Sequence, residues 1–238
     1  YLPCAMRLVF IVDFILIIPA FIGIWFMPEP VKNKQKFKIE VQKLSVPSDI
    51  RSTFIYAVIP VFVGFSMLGL FTAISPNFLG DILNITNKAV IGVMVFLIFC
   101  ASTLGQLLFK SKSDYHILML GSGTLIVGVI LVGLSIQLES FLILFIGAII
   151  SGFGQAFSFR AGLSTVNAVA PEDKQAEITS TFFTIAYIAI SIPVVGVGLL
   201  ELGLGIKLAG IVFSIIIVIL AILAFILLLS NYKKSKQS

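Results

Sequence analysis

Charged residues are scarce in this sequence, making up 11% of the 238 residues, whereas 59% are hydrophobic. A soluble globular domain carries about 25% charged residues, which cover its surface with groups that water solvates. A water-soluble fold of this composition would leave large apolar areas in contact with water. The composition therefore excludes an ordinary soluble domain and indicates a protein whose solvent is lipid.

Side chains that carry catalysis are also few. The chain has two cysteines, Cys4 and Cys100, and one histidine, His116. Two cysteines do not make a disulfide framework, and His116 has no partner nearby in sequence for metal binding or acid–base chemistry. No glycine-rich phosphate loop is present, and the basic residues lie between apolar runs. We therefore expect no enzymatic activity, no cofactor and no nucleic-acid partner.

Seven long apolar runs occupy most of the chain. A helix needs about 20 apolar residues to cross the hydrocarbon core, and backbone inside lipid must satisfy its own hydrogen bonds, which favours helices. The sequence predicts an all-α membrane protein with seven transmembrane helices. The predicted spans are Leu8–Met27, Phe54–Pro76, Ala89–Phe109, Ile117–Ile136, Phe141–Arg160, Ile178–Leu200 and Leu208–Ser230.

Positive charge is found mainly on one side of these spans. Thirteen lysines and arginines fall in alternate connections and in the tail, and only Arg7, Lys88 and Lys207 fall on the other side. Loops rich in lysine and arginine stay in the cytoplasm. The pattern predicts a multi-pass protein of the cell membrane with Tyr1 outside and Ser238 in the cytoplasm.

The connection after the first span is longer and more highly charged than the others. Long polar linkers mark domain boundaries. We therefore expect residues 1–27 to be the last helix of a preceding bundle and residues 28–51 to be a central cytoplasmic loop. Residues 52–230 would form one six-helix bundle, and residues 231–238 a cytoplasmic tail. The odd number of spans and the start at Tyr1 predict that further helices precede this sequence.

This organisation resembles the second half of a twelve-span major facilitator transporter of the bacterial type. The segment Ser151–Phe157, continuing to Ala170–Lys174, is similar to the tenth span and the turn that follows it in that family. The segment from Ser180 through Pro193 to Gly198 is similar to its glycine-rich eleventh span, and Met27–Pro30 to the exit of its sixth. The resemblance implies that the last six spans form one bundle of a secondary transporter that works by alternating access with a missing N-terminal half.

One segment departs from the family pattern. The connection between the predicted third and fourth spans has Gly105 and the basic residues Lys110 and Lys112, but Phe109 stands where the family often has an acidic residue. The resemblance therefore does not imply a gating salt bridge in this connection.

Asp13 is an ionisable residue within the first predicted span. Burying such a residue in a membrane is costly, so it suggests a function. Asp13 is a candidate for the carboxylate that couples transport to protons. The alternative is a carboxylate near the outer interface, where it is hydrated or paired with another helix.

Five other polar residues are candidates for substrate binding. Gln155 lies past the midplane of its span, and transporters bind their substrates near the midplane. By resemblance, the seventh and tenth spans of the family line the central cavity, which makes Gln155 the first choice. Arg160, Gln106, Tyr187 and Asn77 complete the candidate set. Interhelical hydrogen bonding is the alternative role for the neutral residues, and lipid headgroup contact the alternative for Arg160.

Ala101 with Gly105 and Ala148 with Gly152 are small pairs at four-residue spacing. Such pairs let membrane helices approach closely, so we expect them at helix contacts.

Three functions are compatible with seven spans: a secondary transporter, a seven-span receptor and an embedded enzyme. The resemblance favours a proton-driven transporter for a small solute. The scarcity of charge within the spans favours a neutral or hydrophobic solute, as in drug or metabolite efflux. The partners expected are this solute, the lipid bilayer and the N-terminal half of the same chain.

Overall fold

The computed structural model describes residues 5–27, 44–108 and 114–237. These residues are helical almost throughout, and none of them lies in a strand. The predicted all-α fold class is therefore confirmed. The α-helices are α1 (Ala5–Trp25), α2 (Arg51–Asn77), α3 (Lys88–Leu107), α4 (Asp114–Leu138), α5 (Phe141–Val169) and α6 (Gln175–Gln237), with a π-helical turn at Phe78–Ile82 and a 3₁₀ turn at Glu172–Lys174.

The chain divides into two units, Tyr1–Val41 and Gln42–Ser238. The first contains α1, an apolar helix with Pro19 in its interior. The second contains α2 to α6, which pack against one another. Residues 28–43, most of the predicted central loop, lie outside the described residues. The assignment of α1 to a preceding bundle stays a prediction.

Five helices of the described chain are long and apolar enough to cross a membrane, and α1 adds a shorter apolar segment, Phe10–Trp25. The last of the five, Glu172–Asn231, has 60 residues. At 1.5 Å per residue it would be about 90 Å long, three times the hydrocarbon thickness. Gly205 divides it into two helices, with φ 75° and ψ 161°. The sequence predicts two spans here, and the total of seven stays a prediction.

Helix α5 is longer than its predicted span. The span was predicted to end at Arg160, but the helix continues to Val169. Residues 161–169 contain no proline, and the helix ends where Ala170 adopts ψ 126° before Pro171. Steric clash with the proline ring disfavours the helical region for the residue that precedes it. Arg160 therefore lies inside a helix rather than at its end.

The helices of the second unit run alternately in opposite directions. At one end, Tyr115 of α4 donates a hydrogen bond to the carbonyl of Leu228 in the last part of α6. At the other end, Lys207 of α6 contacts Glu139, which follows α4. These contacts agree with the alternation predicted from the charges, whereas the identity of the cytoplasmic end stays a prediction.

Helix α5 lies at the centre of this unit and contacts α2, α3 and α4. Small residues let the neighbouring backbones approach closely. A Cβ added to Gly152 would lie 2.5 Å from the Ile98 carbonyl oxygen and 2.7 Å from the Ala101 Cβ, and one added to Gly105 would lie 2.7 Å from the Ala156 Cβ. The predicted role of these small residues in helix packing is confirmed for the α3–α5 contact.

Candidate functional site

Gln155 lies where α2, α3 and α5 meet. Its side chain is 3% exposed, and its Oε1 accepts a hydrogen bond of 2.5 Å from Ser102 Oγ on α3. On the α2 side it faces Gly64, where an added Cβ would lie 3.1 Å from the Gln155 Cγ. In this structure Gln155 makes the contacts of an interhelical hydrogen bond, and a substrate contact stays a prediction.

We predict that Ser102 and Gln155 are energetically coupled. In a double-mutant cycle with Ser102→Ala and Gln155→Met, we expect a coupling between about 0.6 and 1.7 kcal/mol, the average and the maximum for such bonds between membrane helices. The measurement is unfolding of the purified protein in mixed micelles. Thr103→Ala is the control, because the Thr103 hydroxyl bonds only the Phe99 carbonyl of its own helix among the contacts described. Strictly additive effects of the Ser102 and Gln155 changes would contradict the prediction.

Arg160 and Gln106 come together, but through the backbone of Gln106. Arg160 Nη1 donates a hydrogen bond of 3.0 Å to the Gln106 carbonyl and a second bond to the Leu108 carbonyl. The last carbonyls of a helix have no partner within the helix and carry partial negative charge. The guanidinium therefore caps the C-terminus of α3, a role that the sequence alone did not reveal.

The next turn of α5 holds the start of α4. Ser164 Oγ donates a hydrogen bond of 2.6 Å to Asp114 Oδ2. Arg160 and Ser164 are four residues apart, so they lie on one face of α5. Together they attach both ends of the α3–α4 connection to α5. Residues 109–113 of this connection, including Phe109, lie outside the described residues.

Five aromatic rings form a continuous row across three helices, which we call the aromatic row. Its members are Phe65 of α2, Phe159 of α5, and Phe182, Phe183 and Tyr187 of α6. Phe159 is 5.6 Å from Phe65, 6.0 Å from Phe182 and 6.1 Å from Phe183 between ring centroids. The row ends at Tyr187, 6.5 Å from Phe183. Such spacings are typical of favourable aromatic pairs.

The two ends of the aromatic row, Phe65 and Tyr187, lie near the middle of their helices. Phe65 is about 21 Å along α2 from Arg51, and Tyr187 about 18 Å along α6 from Gln175, at 1.5 Å per residue. Phe182 is fully buried, whereas Tyr187 is 64% exposed. A depression of about 330 Å³ beside it is lined by Thr184, Tyr187, Ile188, Ser191 and Ile192. The sequence indicated Tyr187 but not its aromatic neighbours, because their contacts join distant parts of the chain.

Asn77 lies at the opposite end of the unit from Arg160. Its side chain is exposed, and Nδ2 donates a long hydrogen bond of 3.4 Å to Glu201 Oε1 on α6. Glu201 was not among the residues predicted for the site. Its position directly after the predicted span Ile178–Leu200 could have identified it, because ionisable residues in or beside a span are candidates for function. Asn77 therefore does not share a site with Gln155 or Arg160.

Asp13 is an exposed residue in the interior of α1, within the first unit. Among the residues that the structure describes, no three histidine, cysteine, aspartate or glutamate side chains are grouped closely enough to hold a metal ion. Around Tyr187 the second unit presents an exposed depression lined by aromatic, aliphatic and hydroxyl-bearing side chains. Such a surface can bind a solute through apolar contact, ring stacking and single hydrogen bonds.

Comparison with known proteins gives one result at the level of the family. The family model for the Major Facilitator Superfamily matches residues 5–193, which include α1 to α5 and the first part of α6. A comparison with curated proteins gives no match. The family match favours the transporter hypothesis over the receptor and enzyme alternatives. With its apolar helices of membrane-spanning length, this chain belongs to the major facilitator superfamily of multi-pass membrane transporters.

Proposed function

We propose that this chain is the C-terminal bundle, with one preceding span, of a secondary transporter that exports a neutral or lipophilic solute. The observation that carries the proposal is the aromatic row, which reaches an exposed tyrosine at mid-depth without a charged residue among its members. Solute sites of such transporters lie near the membrane midplane between two bundles. We propose the cell membrane as its location and a preceding N-terminal bundle as the partner that completes the cavity.

The aromatic row supports a choice of solute. Rings expose a face of negative potential, which attracts aromatic compounds and diffuse organic cations, and this attraction strengthens where water is excluded. Strongly anionic solutes would need a cation in the site, and Arg160, the basic residue nearest this depth, is bound to two backbone carbonyls. We therefore propose that Tyr187 and its neighbouring hydroxyls contact the solute, and that Gln155 and Arg160 hold the helices that position it.

Tyr187→Ala is expected to impair export of a lipophilic aromatic cation such as ethidium. Loss of one stacking ring should weaken binding by about 0.5–2 kcal/mol, or two- to thirtyfold. The measurement is ethidium accumulation in cells that express the full-length protein, with Tyr187→Phe as the variant that keeps the ring. Leu199→Ala is the matched control, because Leu199 is 67% exposed on the same helix and lies three turns away. Equal export by the alanine variants would contradict the proposal.

We further propose that protons drive transport and that Asp13 takes part in the coupling. One charge crossing 100 mV releases about 2.3 kcal/mol, enough for concentrative transport. Asp13→Asn should abolish export driven by an imposed pH gradient while leaving solute exchange at equilibrium intact. Asp81→Asn is the control, because Asp81 is also exposed and lies outside the predicted spans. Undiminished pH-driven export by the Asp13 variant would reject Asp13 as the coupling carboxylate.

A further inference from the structure

A groove of about 360 Å³ runs between α4 and the last part of α6, away from the aromatic row. Its lining includes Val129, Gly133 and Gln137 on α4 and Ile211, Ser214 and Val218 on α6. Val129 and Gln137 are eight residues apart in sequence, which corresponds to about 12 Å along the helix. The volume is within the range of small-molecule sites.

The groove exists because small residues face each other across the two helices. An added Cβ at Gly133 would lie 3.1 Å from the Ser214 Cβ. Ser214 is 3% exposed, and its Oγ has no hydrogen-bond partner among the residues that the structure describes. A buried hydroxyl without a partner is costly, but the Ser214 Oγ is enclosed beneath the floor of the groove, so the surface that a bound molecule meets is largely apolar.

The walls of the groove face outward. Ile130, Leu134, Ile215 and Ile219 line it and are 42–55% exposed. In a protein that spans a membrane, apolar side chains exposed on the outside of the bundle face lipid chains. The groove is therefore open to the hydrocarbon layer along its length.

The end of the groove near Gln137 is polar and charged. Lys207 Nζ lies 2.7 Å from Glu139 Oε1, and these side chains are 39% and 51% exposed. Glu139 follows Gln137 by two residues, and Lys207 precedes Ile211 by one helical turn. A cation and an anion are thus held side by side beyond this end of the groove. The headgroup of a lipid whose chain lay in the groove would meet them there.

We infer that this groove is a binding site for a zwitterionic phospholipid with an ammonium headgroup. One acyl chain lies in the groove, above the floor that Gly133 and Ser214 form and between the outward-facing isoleucines and Leu134. The phosphate pairs with Lys207 and the headgroup ammonium with Glu139, so the charges of the lipid complement those of the protein. An anionic lipid matches Lys207 but is repelled by Glu139, which makes the site selective for the zwitterion.

The test is native mass spectrometry of the full-length protein titrated with phosphatidylethanolamine and, separately, phosphatidylglycerol. We expect one tightly retained phosphatidylethanolamine that Gly133→Leu displaces. Gly123→Leu is the matched control, because Gly123 is on the same helix, has only the Phe225 ring within 4 Å of an added Cβ and does not line this groove. The control should keep the lipid.

A second pair of variants separates headgroup recognition from filling of the groove. Lys207→Gln should weaken phosphatidylethanolamine binding about fivefold, the value of one cation near a headgroup. The exchange of both charges, Lys207→Glu with Glu139→Lys, should restore it. Equal retention of both lipids by all variants would overturn the proposal. So would a second copy of the chain in the groove, seen as a dimer that Gly133→Leu dissociates.

Discussion

Gly152→Ala is expected to lower the free energy of unfolding by about 1–3 kcal/mol, because overpacking a tight helix contact costs about this much. The new Cβ would lie 2.5 Å from the Ile98 carbonyl oxygen and 2.7 Å from the Ala101 Cβ. Both atoms belong to or adjoin the backbone of α3, so a side-chain rotation does not relieve the contact. Helices α3 and α5 must separate, which also lengthens the Ser102–Gln155 hydrogen bond.

The matched control is Gly92→Ala in α3. An added Cβ at Gly92 has nothing within 4 Å, so this change should leave stability unchanged or raise it slightly. Thermal unfolding of both variants in the same detergent gives the comparison. Equal melting temperatures for the two variants would show that the α3–α5 contact is looser than the structure indicates.

Arg160→Ala is expected to cost about 1.5–3 kcal/mol of stability, the range for hydrogen bonds to a charged group, with the lower end favoured because the site is only half-buried. The carbonyls of Gln106 and Leu108 lose their donor, and the last turn of α3 should fray. Hydrogen exchange of the amides in that turn, together with thermal unfolding, measures the effect. The stability of Arg160→Lys should fall between that of the unchanged protein and that of Arg160→Ala, since lysine keeps the charge but not the planar fork of donors.

Transport kinetics of the same variants distinguish the two roles considered for Arg160. If the guanidinium acts by capping α3, kcat should fall severalfold while KM for the solute stays unchanged. If it contacts the solute, as the sequence suggested, KM should rise and the exchange of the α3 amides should not change. The structure leads us to expect the first result.

The sequence was informative wherever a property depends on a sum over a window of residues. Apolar length placed α2 to α5 within a few residues of their observed starts, and the small residues expected at helix contacts include Gly105 and Gly152 of the α3–α5 contact. It was less reliable at the end of α5, because the charge of Arg160 ended the predicted span whereas the helix continues to Val169. It predicted two spans where α6 lies, and the structure divides α6 into two helices at Gly205.

The candidate site was predicted less well, because the direction a side chain faces is not encoded in hydropathy. In a soluble helix the apolar face points to the core, but in a membrane both lipid and protein surroundings are apolar, so this signal is lost. Hydropathy therefore did not show that Gln155 is buried at a junction of three helices or that Tyr187 is exposed. The sequence by itself determined the membrane-spanning helices and their alternation. Only the tertiary structure decided that Arg160 caps α3 and that five rings from three helices form one row, because both depend on how the helices are rotated and packed.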